Sequence, residues 1–180
     1  MNEIILKPIG IIRNEIKDSG FVFNTEDKSL DNLLDNFQDR LAAIKAKQDK
    51  IKNAISEIII DPCWEELLDG IEENSHILVL FWGHKIPDES RKLKKIHPMR
   101  IKEIPQKGIF ATCSPTRPNP VLVSVVKLLE RNGNILKVEG LEAFNETPII
   151  DIKPYSKGYY RPEDFKMPDW MEDIHKKLGE

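Results

Sequence analysis

Apolar and polar positions change their period twice along this 180-residue chain. Ile4 to Arg13 reads as a first strand. Pro8 within it marks an edge or a bulge, because proline cannot donate to a strand ladder. Gly10 follows closely, where a close approach of neighbouring backbone is expected. Asn14 to Asn24 reads as a loop. Beyond it Leu30, Phe37, Ile44 and Ile51 recur every seven residues, and so do Leu34, Leu41, Gln48 and Ile55. These are a and d positions of about four heptads, so the spacing predicts a long amphipathic helix over about 29–55. Ser29 can cap its start. Asp31, Asp35 and Asp39 crowd its first half, and Lys45, Lys47, Lys50 and Lys52 its second, the order that suits the helix dipole. Its apolar seam has three open readings: packing on its own domain, pairing with a second chain, or an arm that grips RNA by its basic end.

After the helix the period falls to two. Glu57 to Ile60 predicts a short strand, and Cys63 to Leu68 a helical turn. His76 to Trp82 is a strand buried on both faces. Gly108 to Thr112 predicts a further strand. Val121, Val123 and Val125 alternate with Leu122, Ser124 and Val126. Asn132-Gly133 between apolar runs is a strong hairpin signal. Ile135 to Leu141 returns, and Pro148 to Ile152 adds another strand. About seven strands with short links predict a mainly β fold, a single closed or nearly closed β-barrel. Tyr155 to Pro168 is irregular and aromatic. Asp169 to Leu178 predicts a short C-terminal helix with Trp170 and Ile174 facing inward. The expected organisation is one domain over 1–180, with a helical insertion over 25–56 and a C-terminal extension over 156–180.

Composition narrows the class. Hydrophobic residues are 40% and charged residues 32%, the mixture of a globular protein. The longest strongly apolar stretch, Ile77 to Trp82, is too short to span a bilayer. The N-terminus lacks the basic and apolar regions of a secretory signal. A cytoplasmic protein without a membrane segment is therefore expected. Two cysteines, Cys63 and Cys113, make no disulfide framework, and the four histidines show no metal-ligand spacing, so no metal is expected. A net charge of −3 argues against indiscriminate nucleic-acid binding. A local basic patch nevertheless exists: Arg91, Lys92, Lys94, Lys95, Arg100 and Lys102.

Three runs carry candidate chemistry. The densest is Gly108-Ile-Phe-Ala-Thr-Cys-Ser-Pro-Thr-Arg-Pro-Asn-Pro120. Its prolines stiffen the loop by fixing φ and restricting the residues before them. Arg117 brings a fixed charge with planar donors, and Asn119 can donate and accept. The second is the polar turn Glu142, Asn145, Glu146 and Thr147 between two strands. The third is His84-Lys85, which ends the buried strand where a barrel mouth would open.

At these three places the chain resembles the TsaA-like (TrmO) family. The matching runs are Ile9 to Arg13, Ser75 to His84, Gly108 to Pro120, Ser124 to Leu128, and Gly140 to Tyr155 with its DIKPY ending. The resemblance implies a β-barrel methyltransferase, usually a homodimer, that uses S-adenosylmethionine to methylate N6 of a threonylcarbamoylated adenosine in the tRNA anticodon loop. By carry-over the cofactor contacts would be His84, Lys85, Arg117, Pro118, Asn119, Leu128, Glu142, Asn145, Glu146 and Thr147. Asn119, Asn145 and Glu142 are the candidates to orient the amine or take its proton, with Glu146 also within the polar turn. Arg91, Lys92, Lys94, Lys95 and Arg100 are candidate tRNA contacts. Four departures stand out. Cys113 replaces an Arg, Val121-Leu-Val replaces Ile-Gly-[LM], Glu142 replaces Asp, and Asn145-Glu146 replaces Asp-Gly. A Glu at that Gly position predicts strain if the turn needs positive φ. Two other functions fit the same scaffold: methyl transfer to a different RNA or small molecule, and a non-catalytic cofactor-binding interaction module.

Overall fold

Strands that alternate large aliphatic residues with polar ones have one face to bury, and closing the sheet on itself buries it without leaving an open edge. The structure, a computed structural model, describes residues 3–16 and 37–179. Its elements are β1 Gly10–Arg13, α1 Phe37–Lys52, β2 Ile55–Ile60, β3 His76–Trp82, α2 Asp88–Arg91, β4 Lys95–Ile96, β5 Lys107–Gly108, β6 Val121–Asn132, β7 Ile135–Glu139, β8 Pro148–Pro154, α3 Lys157–Tyr160 and α4 Asp169–Leu178. Six strands close into a barrel in the order β1-β2-β7-β6-β3-β8, every neighbour antiparallel. β4 and β5 pair separately as a two-stranded ribbon.

The barrel interior is aliphatic. Ile12, Ile58, Ile77, Val79, Leu136, Val138 and Ile149 are fully buried there. β6 is long enough to serve two neighbours in turn: Val121 to Lys127 pair with β3, and Lys127 to Asn132 with β7. A bulge between Leu128 and Glu130 bends the strand at the changeover. At Gly10 a side chain would collide with the Ile59 carbonyl, which is the close approach the sequence suggests.

Several boundaries differ from expectation. β1 begins at Gly10 rather than Ile4. The predicted Gly108 to Thr112 strand is two residues of ribbon followed by a 3-10 turn over Ile109–Ala111, because the chain leaves the ribbon to enter the proline-rich loop. Asn132 is the last paired residue of β6, and the turn falls on Gly133 and Asn134, with Gly133 at φ 57°. The barrel has six strands rather than about seven. The predicted helix 29–55 ends at Lys52, since Ile55 is needed as the first rung of β2. Its start and the loop before it lie in 17–36, outside the described residues.

The seam of α1 packs on its own chain. Leu41 and Ile44 join Ile101, Ile104, Ile174 and Leu178 in a second apolar cluster, flanked by Phe37 and Trp170. α4 thus turns Trp170 and Ile174 inward, as its periodicity predicts. Arg40 Nη1 donates to the Arg100 carbonyl at 2.7 Å, and Lys177 Nζ lies 4.6 Å from the Phe37 ring centre. This supports the intramolecular reading of the heptad face.

Candidate functional site at one barrel rim

Strand direction decides which connections meet. β3 leaves the barrel at Trp82, where it faces Val121 at the start of β6, and Phe81 faces Ile149 near the start of β8. β1 runs out toward the same rim, since Ile11 faces Pro148. The connections 83–85, 112–120 and 141–147 are therefore neighbours, with Asn14 beside them.

The first is pinned to the second. Gly83 N–H donates to the Pro120 carbonyl at 2.8 Å. A side chain at Gly83 would press on Ile86 and Pro120 at 3.0 and 3.2 Å, so glycine lets these turns touch. The first is also joined to the third: His84 Nδ1 lies 3.4 Å from the hydroxyl of buried Thr147. Burial pushes the His84 pKa below its ordinary value of 6.5, and the charge of Lys85 acts the same way. A backbone bond at Trp82 and the Glu146 carboxylate oppose them. The balance favours the neutral imidazole. Lys85 is exposed, with Nζ 4.7 Å from the centre of the Phe144 ring, a cation–π pair.

The 112–120 loop is braced by more than its prolines. Thr112 Oγ1 donates to the Ile109 carbonyl at 2.8 Å, and Ser114 N–H donates to Thr112 Oγ1 at 3.2 Å. The hydroxyls of Ser114 and Thr116 are 2.7 Å apart. Arg117 Nη1 donates to the Thr112 and Ser114 carbonyls at 3.4 and 3.2 Å. One part of the Arg117 guanidinium therefore shapes its own loop. Pro118 and Asn119 are exposed at the rim.

The 141–147 turn is bound to the end of β1. Glu146 N–H donates to the Ile12 carbonyl at 2.7 Å, and Asn145 N–H to the Ile16 carbonyl at 2.9 Å. Asn14 closes the junction. Its N–H donates to Asn145 Oδ1 at 3.0 Å, and its Nδ2 donates at 3.0 Å to both Ser56 Oγ and the Ala143 carbonyl. Glu146 sits at φ 65°, a left-handed conformation that favours glycine. The strain expected of this departure is present.

Other predicted site residues are deployed differently. Glu142 is exposed and pairs with Lys47 of α1 at 3.1 Å, which turns its carboxylate toward the helix. Leu128 N–H donates to the Ser75 carbonyl at the start of β3, at the far end of that strand from His84. In the basic patch, Arg91 pairs with Asp88 at 3.3 Å and lies 5.7 Å from the Trp82 ring centre, and Lys92 pairs with Glu89. The Arg100 carbonyl is taken by Arg40. Lys94, Lys95 and Lys102 are exposed. The sequence reading omits Asn14 and Phe144. Asn14 carries no signal of its own, since its partners lie at Ser56, Ala143 and Asn145. Among the described residues no group of three His, Cys, Asp or Glu side chains could hold a metal, and no helix is long and apolar enough to cross a membrane.

The fold is thus a small closed antiparallel β-barrel with a stiff, polar, cation-bearing rim. The chain belongs to the TrmO family: residues 39–160 match the family model described as the tRNA-methyltransferase O N-terminal domain. An Archaeoglobus fulgidus protein named S-adenosyl-L-methionine-binding protein is 35% identical over 153 residues, 85% of this chain and 90% of that one. A second protein of that organism is 42% identical over 128 residues, covering 71% of this chain and 33% of its own length. The mouse tRNA (adenine(37)-N6)-methyltransferase is 34% identical over 116 residues, 64% of this chain and 26% of its own. The chain thus spans a third or less of these last two relatives. The fold matches the crystal structure of TrmO from Pseudomonas aeruginosa with a TM-score of 0.63 at 23% identity, covering 94% of this chain and 62% of that one.

Proposed function

We propose that the protein binds S-adenosylmethionine at this rim and methylates N6 of a threonylcarbamoylated adenosine in the tRNA anticodon loop. The observation that carries the reading is the meeting of three connections on one rim, bridged by the Gly83–Pro120 bond and the His84–Thr147 contact. The names of the archaeal and mouse relatives support the cofactor and the acceptor respectively. The residues fit such a cofactor. Lys85 and Arg117 offer cations to a carboxylate, and the neutral His84 adds no repulsion toward a sulfonium.

When bound, S-adenosylmethionine supplies an electrophilic methyl carbon, so the protein's task is mainly to position the amine in line with it. The Asn145 oxygen is engaged by Asn14, so Asn145 acts by holding the turn, while the Glu142 carboxylate is drawn toward Lys47 of α1 and away from the amine. Asn119, exposed at the rim, orients the amine, and His84 accepts its proton. Activity then falls as pH drops through the depressed His84 pKa, because the protonated ring has lost its acceptor. A rate that stays level from neutral pH well below 6 would exclude His84 as that acceptor. Leu128 lies away from this rim, and a second copy in a homodimer is the way it would join the site. A cytoplasmic location fits a tRNA acceptor.

Calorimetry with S-adenosylmethionine and mass spectrometry of tRNA from cells with and without the gene test the reading together. Binding without a change in tRNA would move the acceptor to another RNA or a small molecule. The absence of binding at millimolar cofactor would leave an interaction module. Arg117→Ala should abolish or strongly reduce turnover, and normal turnover in that variant would remove the loop from the site.

A further inference from the structure

Phe110 stands out on the described surface. Its neighbour Ile109 is buried, and the turn between them is pinned by Thr112, whose N–H and hydroxyl both donate to the Ile109 carbonyl, at 3.1 and 2.8 Å. The backbone is therefore held while the Phe110 ring stands 81% exposed. Single exposed apolar side chains are common, and Tyr159 at 87% is more exposed still, so exposure alone assigns the ring no role; what sets Phe110 apart is the cations held beside it. The Arg117 guanidinium carbon lies 5.9 Å from the ring centre, and its carbonyl contacts hold it there.

The ribbon supplies the second half of the surface. Lys95 faces Gly108 and Ile96 faces Lys107, and Ile109 N–H donates to the Lys94 carbonyl at 3.1 Å. This pairing carries Lys94, Lys95 and Lys107 to the foot of the Phe110 turn. Among the described residues no ion pair occupies any of the three. A flat exposed ring, an arginine beside it and three lysines within a few residues match one ligand chemistry: an unstacked nucleobase with its flanking phosphates.

We infer that Phe110 is the stacking platform for an unstacked base of a single-stranded RNA segment, and that the β4–β5 ribbon holds the phosphates beside it. The inference rests on the proposed RNA-methylating reading and names the surface that presents the acceptor loop to the rim. Pairing of the ribbon is what unites the basic run with the proline-braced loop.

The test uses the full chain and a synthetic RNA stem-loop with 2-aminopurine replacing one loop adenine, a base whose fluorescence is quenched when it stacks. Wild-type protein should bind and change the quench. Phe110→Leu keeps the apolar bulk and loses the π face, so affinity should fall about ten-fold, within the range of base–aromatic stacking, and the quench should vanish. Phe110→Tyr should restore both. Replacing Lys94 and Lys95 together with Ala should flatten the plot of log affinity against log salt by roughly 1.4, two phosphate contacts on a single strand. Wild-type-like binding and quench by Phe110→Leu would overturn the inference, as would no RNA binding by the wild type. So would an unchanged RNA affinity accompanied by a changed mass in light scattering, which would assign the ring to self-association. Calorimetry with S-adenosylmethionine on the same samples separates the two readings. Phe110-dependent RNA binding without cofactor binding sinks methyl transfer alone, and the converse sinks the stacking platform alone.

Discussion

The barrel interior and the helical layer beside it use the same aliphatic side chains under different constraints. In the barrel, Ile12, Ile58, Ile77, Leu136 and Ile149 come from five strands and all reach 0% exposure. Each strand is tied to two neighbours, and a one-residue slip would turn its apolar face outward. In the layer, Leu41, Ile44, Ile101, Ile104, Ile174 and Leu178 come from α1, a loop and α4, and five of these six keep 2–8% exposure. No ladder fixes their register. The layer can therefore loosen while the barrel stays closed, whereas a fault in the barrel reaches every strand.

The largest effect should come from inside the barrel. Leu136→Ala should cost about 2–5 kcal/mol, seen as one cooperative loss of all structure on heating. Ile174→Ala in the layer should cost about 2 kcal/mol, with amide exchange accelerated in α1 and α4 and unchanged in the strands. If both variants accelerate exchange everywhere, the two regions form one unit and the contrast fails. Glu146→Gly should stabilise the barrel by roughly 1 kcal/mol by removing the left-handed strain. An unchanged or lower melting temperature would mean the Glu146 side chain compensates for its backbone. The smallest effect belongs to the bridge between the regions. Glu142→Gln loses the exposed pair with Lys47 and should cost about 0.5 kcal/mol or less in low salt and nothing in high salt. A larger loss would show that α1 steadies the 141–147 turn.

Much of the barrel is legible in the sequence because its signals are local. His76 to Trp82 reads as a strand because an apolar run bounded by polar turns has few alternatives. The proline-rich loop is legible for the same reason, since each proline restricts its own φ. The ribbon is not legible. Lys107-Gly108 looks like the start of a longer strand, and its pairing with Lys95-Ile96 across an intervening loop leaves no periodic trace at two residues. The site divides the same way. His84, Arg117 and Thr147 can be singled out by type and position. That Glu142 turns to Lys47, that Asn145 is capped by Asn14, and that Phe110 stands beside a lysine ribbon depend on partners far along the chain.

By itself the sequence determined the six barrel strands to within a few residues, the C-terminal helix, the stiff loop and the residue whose backbone would be strained, because period, proline and glycine chemistry act within a few residues. The tertiary structure alone decided that Leu41 and Ile44 of the heptad face pack against Ile101, Ile104 and α4, and that three connections share one rim. It also decided which polar side chains are already committed to neighbours. The reason is physical: closure and strand direction are properties of the whole sheet, and a hydrogen-bond partner more than a hundred residues away, as Asn14 finds in Asn145, is chosen by the fold and not by its own surroundings in the chain.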